Sequence, residues 1–370
     1  MRIAILGTRG IPNNYGGFEQ FAEYLGIGLA DAGHEVYVYC GSDHPFREKI
    51  YRGVNLIHIT NPEKRTGTWG QFIYDLLCIL DSRSRKFDLI YQLGYTSSSV
   101  WGRLLPGRAL VLTNMDGLEW KRTKYSPKVR RFLRYAERLA VKTSDHLVAD
   151  SVGIQAYIRE TYGSDSKYIP YGTNLFEAPD PAVLSRYGLE SYRYSMLIAR
   201  MEPENNISTI LEGVKRSESP DPFLVIGSTE NRYGAELVKN FSGDKRIRFL
   251  GSEYEMTILN NLRYHAKLYF HGHSVGGTNP SLLEAIGSQA MVCAHQNQFN
   301  WHILGEDALY FETPGDVTAI LDTPISQETR CAFRKKNLDK VKTLYLWPNI
   351  VSQYENYFEG LLASGSDSKR

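Results

Sequence analysis

The chain has 370 residues, of which 42% are hydrophobic and 23% charged, and its formal net charge is +2 at pH 7. This length exceeds the range over which one hydrophobic core keeps growing, so two domains are expected. The composition excludes collagen-like, disulfide-dense and globally disordered proteins, whereas the small net charge neither requires nor excludes a nucleic acid partner.

Short runs rich in β-branched and aromatic residues alternate with amphipathic segments along the chain, a pattern that indicates parallel sheets. In the first half the runs are RIAIL, EVYVYC, VNLIHI, FDLIYQL, ALVLTN and DHLVAD. The alternation begins again at YSMLIAR and continues through PFLVIGS, RIRFLGS, AKLYFHG, AMVCAH and ALYFET. The sequence therefore predicts an α/β fold with two Rossmann-like, doubly wound domains.

The same pattern suggests where the domains begin and end. We expect the N-terminal domain to span 1–175 and the C-terminal domain to span 190–345. The stretch from Tyr171 to Tyr194 contains proline and glycine residues, and it predicts a linker between the domains. A last helix over 349–362, preceded by YLWP, is expected to return to the N-terminal domain.

Cysteine usage and hydropathy point to a cytoplasmic protein. The four cysteines stand singly, without the paired spacing of zinc sites or disulfide frameworks, so we expect free thiols in a reducing compartment. Met1–Gly7 indicates a strand rather than a signal peptide. No stretch approaches the roughly 18 consecutive apolar residues that a membrane-spanning helix needs.

The segment Gly7–Glu19, with the sequence GTRGIPNNYGGFE, lies between the first strand and the first helix. Glycines there would let backbone N–H groups approach an anion, which the helix dipole also favours. Their spacing differs from G-x-G-x-x-G, which argues against a nicotinamide enzyme. We assign Gly16 and Gly17, nearest the helix start, to the phosphates of the ligand that the second domain is expected to bind, which is called the donor below. A purely structural loop is the alternative.

A second motif, TNMDGLEWKR, follows another predicted strand. Asp116, Glu119 and Trp120 would lie at the carboxyl edge of the first sheet, where open α/β folds place their sites. A carboxylate there could accept a proton from an incoming hydroxyl, so Asp116 is a catalytic candidate and all three residues are assigned to the acceptor side. Alternatively, Asp116 forms a turn and Glu119 caps a helix.

Two motifs of the second domain are predicted to bind this phosphate-containing donor. In ARMEPENN, Arg200 and Asn205 follow a strand, and an arginine can bind phosphate oxygens bidentately. A surface salt bridge is the alternative for Arg200.

The second of these motifs is HGHSVGGTNPSLLEA, which begins at His271. Its loop offers backbone and side-chain donors at a helix start, and Glu284 is placed to accept hydrogen bonds from a ribose diol. The predicted donor-binding residues of this loop are Gly276, Gly277, Thr278 and Asn279.

Metal and cofactor chemistry is not expected. His271, His273 and Glu284 give only a weak metal signal, because H-x-H lacks a matching third ligand. The chain contains no D-x-D element and no G-x-x-x-x-G-K-[ST]. Phosphate charge would then be balanced by arginine, helix dipoles and backbone N–H groups, with no metal and no cofactor.

Residues 121–142 form a basic segment with nine cations and a single acid, Glu137. Apolar residues at helical spacing predict an amphipathic helix with its cations outward. Such a face suits an anionic membrane surface, although a solvated helix face fits equally well. Nucleic acid is not expected as a partner, because no recognition motif accompanies the charge.

Together these motifs resemble glycosyltransferase family 4, of the GT-B fold, and within it the rhamnosyltransferase-like branch of capsule and O-antigen biosynthesis. The markers are GTRGIPNNYGGFE, NMDGLEWKR, SVGIQAYI with IPYGTN, ARMEPENN, HSVGGTNPSLLEA and YLWP. The resemblance implies two domains facing a cleft and a retaining transferase. The leaving diphosphate would help to deprotonate the acceptor.

The resemblance further implies dTDP-L-rhamnose as donor and a lipid-linked glycan as acceptor, in bacterial surface polysaccharide synthesis at the inner face of the plasma membrane. Alternatives are a UDP-hexose-dependent transferase, a nucleotide-sugar epimerase of the same fold and a non-catalytic nucleotide- or glycan-binding protein. The chain departs from the family at two positions. The first Glu of E-x7-E is Gly276, and the Lys of the phosphate loop is Asn205.

Overall fold

The protein was examined as a computed structural model, which describes residues 1–115, 117–122 and 125–367, without the side chains of 365–367. The chain forms two compact units. The first comprises the described residues of Met1–Trp120, Ser126–Gly172 and Trp347–Arg370, and the second those of Lys121–Tyr125 and Thr173–Leu346. No described helix is long and apolar enough to cross a bilayer.

An eight-stranded sheet forms the centre of the first unit, in the order β3-β4-β2-β1-β5-β6-β7-β8. Its strands are β1 (Arg2–Leu6), β2 (Glu35–Gly41), β3 (Ile50–Tyr51), β4 (Val54–Ile59), β5 (Leu89–Leu93), β6 (Leu110–Asn114), β7 (His146–Ala149) and β8 (Lys167–Tyr168). All neighbours are parallel except β3 and β4, which form a short hairpin. The six predicted strands of this half are present. Of the other two, β8 lies in the strand-like run KYIP, and the edge strand β3 was not predicted.

Helices cover this sheet: α1 (Gly17–Asp31), α2 (Glu63–Thr66), α3 (Thr68–Ser84), α4 (Pro127–Thr143) and α5 (Val152–Tyr162), with 3-10 turns at Ser98–Leu104 and Glu119–Lys121. The basic segment was predicted to be helical from Lys121, but α4 begins only at Pro127. Ser126 is its N-cap, with its hydroxyl accepting from the Val129 N–H at 3.5 Å, and proline is favoured at the first helical position.

The second unit has a six-stranded, wholly parallel sheet in the order β11-β10-β9-β12-β13-β14. Its strands are β9 (Ser195–Ile198), β10 (Phe223–Ile226), β11 (Ile247–Gly251), β12 (Leu268–His271), β13 (Val292–His295) and β14 (Leu309–Phe311). Its helices are α6 (Ile207–Arg216), α7 (Arg232–Phe241), α8 (Met256–His265), α9 (Pro280–Gly287), α10 (Gln298–Leu304), α11 (Pro314–Asp322) and α12 (Gln327–Lys340). Shorter helical turns lie at Pro181–Tyr187, Pro203–Asn205 and Val341–Tyr345.

The stretch expected as a linker packs into the second unit. Leu184 is buried there, and the backbone N–H of Asp180 donates to Oδ1 of Asn261 at 2.6 Å. The chain passes from the first unit to the second at Gly172–Thr173.

The last helix, α13 (Trp347–Asp367), belongs to the first unit, as the return predicted for 349–362 requires. Tyr354 is fully buried, and its hydroxyl lies 2.9 Å from that of Tyr91 on β5. Trp347 stacks on Tyr24 of α1 with ring centroids 4.6 Å apart. Aromatic packing therefore fixes the returning helix against α1 and the sheet.

A substitution at Gly28 of α1 tests this packing. A Cβ atom there would lie 2.5 Å and 2.8 Å from the two methyl groups of Val351 on α13. We expect Gly28→Ala to cost about 1–3 kcal/mol through overpacking, and to lower the urea midpoint of unfolding. Val351→Ala in the same chain should recover part of this loss.

Gly360→Ala, with open space around it, is the matched control and should not destabilise the protein. A Gly28→Ala chain as stable as the parent would contradict the packing.

Candidate functional site

The strand order of the second sheet reverses between β9 and β12. β10 and β11 follow β9 on one side, whereas β13 and β14 follow β12 on the other. Ligands of open α/β sheets bind in the crevice beyond the carboxyl ends of the strands at such a point. The loops that leave these two strands are Ala199–Asn206 and Gly272–Asn279, which are the two motifs predicted to bind the donor.

One side chain holds these two loops together. The amide Nδ2 of Asn205 donates to the carbonyl of Arg200 at 2.7 Å, and its Oδ1 lies 2.7 Å from Nδ1 of His273. Because Oδ1 can only accept, the hydrogen-bond network assigns the proton of His273 to Nδ1. Nε2 of His273 therefore carries a lone pair.

A second side chain and the backbone add to this link. The side-chain Nδ2 of Asn206 donates to the carbonyl of Gly272 at 2.8 Å, and the backbone N–H of Ser274 donates to the carbonyl of Glu204 at 3.0 Å. A Cβ atom at Gly272 would lie only 2.0 Å from the carbonyl oxygen of Asn205. The close approach of the loops therefore requires glycine at this position.

The electrostatics of the site keep His273 neutral. Burial, followed by the positive charges of Arg122 and Arg200, lowers the pKa of its imidazole to about 4. Burial also lowers the pKa of the neighbouring His271 well below its usual value. Arg122 lies in the second unit, although the sequence assigned it to the basic helix. A neutral, cation-flanked site suits an anionic ligand.

Glu284 lies on α9, and a buried arginine holds it. Nη2 of Arg263 donates to Oε2 of Glu284 at 2.7 Å, and the Arg263 side chain is only 1% exposed. Nη1 of Arg263 donates to Oδ1 of Asn260 at 3.0 Å. Sequence reasoning missed Arg263, and the signal that could have revealed it is an arginine four residues after Leu259, on the buried face of α8. The pairing orients the carboxylate.

The remaining predicted donor residues lie on the loop before α9. Gly276 has a φ of +127°, a conformation that side chains rarely adopt. The side chain of Asn279 caps α9 by accepting from the Ser281 N–H at 2.9 Å. Thr278 is buried, whereas Arg200 is exposed on the facing loop. The structure thus brings the predicted donor residues of the second unit to one edge of one sheet.

In the first unit, Gly16 and Gly17 form the start of α1, which has no side-chain cap at Gly16. The Glu19 carboxylate is buried and closes the preceding loop by accepting from the Arg9 N–H at 2.9 Å and from the Thr8 hydroxyl at 3.3 Å. The uncapped helix start leaves backbone N–H groups at the carboxyl edge of the sheet.

The predicted acceptor residues follow β6. Asp116 lies outside the described residues, and Glu119 and Trp120 belong to a 3-10 turn. Tyr95, which follows β5, donates from its hydroxyl to the carbonyl of Gly117 at 3.2 Å and to the Glu137 carboxylate at 3.0 Å. Glu137, the single acid of the basic segment, therefore helps to hold this loop.

Comparisons with known proteins support the architecture. A family model described as a domain of unknown function (DUF1972) matches residues 1–174. The search of curated proteins found no match. A sucrose-phosphate synthase from Thermosynechococcus elongatus is similar in structure, with a TM-score of 0.79 at 18% identity over 98% of this chain and 99% of that one.

Two further solved structures are similar over nearly their whole length. HepE from Anabaena, in complex with UDP and glucose, has a TM-score of 0.77 at 17% identity, covering 97% of this chain and 100% of that one. A glycosyltransferase from Rickettsia africae has a TM-score of 0.72 at 12% identity, with 98% of each chain covered. The predicted fold class, a two-domain α/β fold of the GT-B type, is confirmed.

The neutral state of His273 predicts a pH dependence of stability. Its folded-state pKa of about 4 lies below the unfolded value of about 6.5, so the unfolded chain takes up the proton first as the pH falls. Its contribution to stability is therefore complete above about pH 6.5 and is lost down to about pH 4.

We expect His273→Gln to flatten the decrease in melting temperature over this window, measured against the parent chain. His302→Gln, at an exposed position of α10, is the control and should keep the parent slope. The slope of each variant is compared with that of the parent chain, because the buried Asp75, with its pKa raised to about 7 by burial, titrates in an overlapping range in all of them. Identical slopes in all three chains would contradict the assigned neutral state.

Proposed function

We propose that the chain is a retaining, nucleotide-sugar-dependent glycosyltransferase whose second unit binds the donor. The observation that carries this proposal is the meeting of the two predicted donor loops where the strand order reverses between β9 and β12. The similarity in fold to a glycosyltransferase and to HepE, which was solved with UDP and glucose, supports the same assignment.

In this proposal Arg200 binds the diphosphate, and Glu284 accepts hydrogen bonds from the ribose. The 2.7 Å bond from Nη2 of Arg263 to Oε2 of Glu284 orients the carboxylate for this role. Gly277–Asn279 and the start of α9 bind the diphosphate and sugar. Asn205 acts by holding both loops, because its Nδ2 and its Oδ1 both form hydrogen bonds to other residues of the protein.

Catalysis would come from positioning the substrates and from stabilising negative charge on the departing diphosphate. Arg200 and the positive end of α9 supply that stabilisation. The departing diphosphate would take the proton of the acceptor hydroxyl, and Asp116, Glu119 and Trp120 would lie on the acceptor side. The proposal needs no metal and no cofactor, because arginine and backbone donors balance the phosphate charge.

The finer identity of the donor rests on the motifs. Their resemblance to the rhamnosyltransferase-like branch favours dTDP-L-rhamnose. The Anabaena HepE structure with UDP-glucose favours a UDP-sugar as the second candidate. The proposed acceptor is a lipid-linked glycan in bacterial surface polysaccharide synthesis.

An exposed patch on α3 and α4 supports a membrane-surface location for such an acceptor. Trp69, Val129 and Tyr135 are exposed by 75%, 39% and 56%. Phe72 and Phe132 join the two helices, with ring centroids 5.8 Å apart. Apolar and aromatic side chains among the cations of α4 are the combination that binds the surface of an anionic bilayer. We propose that the protein is cytoplasmic and rests on the membrane through this α3–α4 patch.

Nucleotide binding tests the class of donor. A ligand at 100 times its Kd stabilises the folded state by about 2.7 kcal/mol. The melting temperature should therefore rise by several degrees. We expect dTDP and dTDP-rhamnose to give the larger shift in a panel with UDP, GDP and their sugar conjugates. A selective UDP response would assign a UDP-sugar, and silence across the panel would contradict a nucleotide-sugar enzyme. Conversion without an acceptor would indicate an epimerase.

Substitution of the two principal donor residues tests the site. We expect Arg200→Ala and Glu284→Ala to lower sugar transfer by about 100-fold or more, because each removes a charged partner of the donor. Arg232→Ala is the matched control in the same unit, since that side chain is exposed and pairs with Glu236 on the surface of α7. Nucleotide binding without transfer in the parent chain would favour a binding protein, and normal turnover in either variant would refute the assignment.

A further inference from the structure

A groove in the first unit lies between α4 and α5, apart from the residues proposed to bind the donor. Its volume is about 640 Å³. The residues that define this α4–α5 groove are three cations and three aromatic side chains: Arg134, Arg138, Lys142, Trp120, Tyr157 and Tyr162.

The three cations form one row. Arg134, Arg138 and Lys142 recur every four residues on α4, so that the row extends about 12 Å along the helix axis at about 1.5 Å per residue. All three side chains are exposed, and none forms an ion pair among the residues that the structure describes. Like charges at this spacing repel each other, so a bound anion would relieve a cost present in the free protein.

The nearest acid on the helix does not pair with this row. Glu137 is 1% exposed, and its carboxylate accepts from the hydroxyls of Tyr95 at 3.0 Å, Tyr157 at 2.7 Å and Tyr162 at 2.5 Å. Burial beside this carboxylate raises the pKa of the Tyr162 phenol. The acid thus fixes two aromatic walls of the groove.

The aromatic side of the groove is ordered by its own contacts. The guanidinium of Arg134 lies 4.2 Å from the ring centroid of Trp120, and the ring of Tyr157 lies 6.1 Å from that of Trp120. Cation–π contact fixes the direction of the guanidinium and leaves its N–H groups available at its edge. The groove therefore combines directed N–H donors with a ring surface suited to a sugar.

We propose that the α4–α5 groove binds the diphosphate of a glycosyl diphosphate. Three cations over about 12 Å match a short, multiply charged anion, whereas a single carboxylate would leave two of them uncompensated. The volume of about 640 Å³ exceeds what the diphosphate needs and leaves room for a sugar ring against Trp120. The assignment of this diphosphate to a lipid-linked acceptor rests on the proposed function, whereas the binding of a diphosphate by the groove does not.

Calorimetric titration of the full chain tests the groove. All chains carry Arg200→Ala, so that the proposed donor site does not contribute. Pyrophosphate and farnesyl diphosphate are titrated into the chain that carries only Arg200→Ala, which is the parent here, and into a groove variant that also carries Arg134→Gln and Arg138→Gln. The matched control carries Lys128→Gln and Arg131→Gln, two exposed cations of α4 outside the groove.

We expect the groove variant to bind both diphosphates about 10- to 100-fold more weakly, and the control variant to bind them as the parent does. Farnesyl diphosphate binding more tightly than pyrophosphate would assign a lipid-linked source, and equal affinities would assign a free diphosphate. Equal losses in the groove and control variants, or no loss in either, would overturn the proposal.

Vesicles of phosphatidylglycerol separate the groove from the membrane patch. The control variant should lose vesicle binding, because Lys128 and Arg131 lie beside the exposed residues of the α3–α4 patch, and the groove variant should largely keep it. A groove variant that loses vesicle binding but keeps diphosphate binding would overturn the diphosphate site. With Arg200 intact, the response to dTDP and UDP reports the donor site independently, so that either proposal can be wrong without the other.

Discussion

The reversal of strand order between β9 and β12 determines where the second unit can hold a ligand. The loops that follow these two adjacent strands leave the sheet in opposite directions, and a crevice forms between them unless side chains fill it. Gly272 keeps it narrow at its base, because a Cβ atom would meet the Asn205 carbonyl at 2.0 Å. Asn205 then bonds to both loops, and the start of α9 directs its N–H groups toward the same edge.

The two positions at which the chain departs from the glycosyltransferase family that it resembles belong to one local geometry. Gly276 has a φ of +127°, where a glutamate would be strained, and a Cβ there would lie 3.2 Å from Nε2 of His273. His273 in turn donates to Asn205, which stands where the family that the chain resembles carries a lysine. A glutamate at 276 would crowd the imidazole, and a lysine at 205 would lose its bond to His273. Gly276, His273 and Asn205 therefore depend on one another.

Periodicity in the sequence was sufficient for the longer strands of both sheets, and it placed the two motifs predicted to bind the donor directly after β9 and β12, because both follow from local patterns. It missed β3, a two-residue strand whose hairpin depends on positive φ at Arg52 and Gly53. It also missed the pairing of Arg263 with Glu284, whose positions are 21 residues apart and lie on different helices. Such contacts depend on how helices pack, and no spacing rule in one sequence encodes them.

The basic segment shows the same limit for charge. Its nine cations look alike in the sequence, yet Arg122 lies in the second unit beside His273, whereas Lys128 and Arg134 lie on α4. The single acid explains the difference along α4. Because Glu137 is buried and accepts from three tyrosine hydroxyls, it orders the groove walls without pairing with the exposed row of cations. An acid placed outward would have offset one of the three positive charges of that row, so the burial of Glu137 leaves a stronger positive field in the groove for an anion.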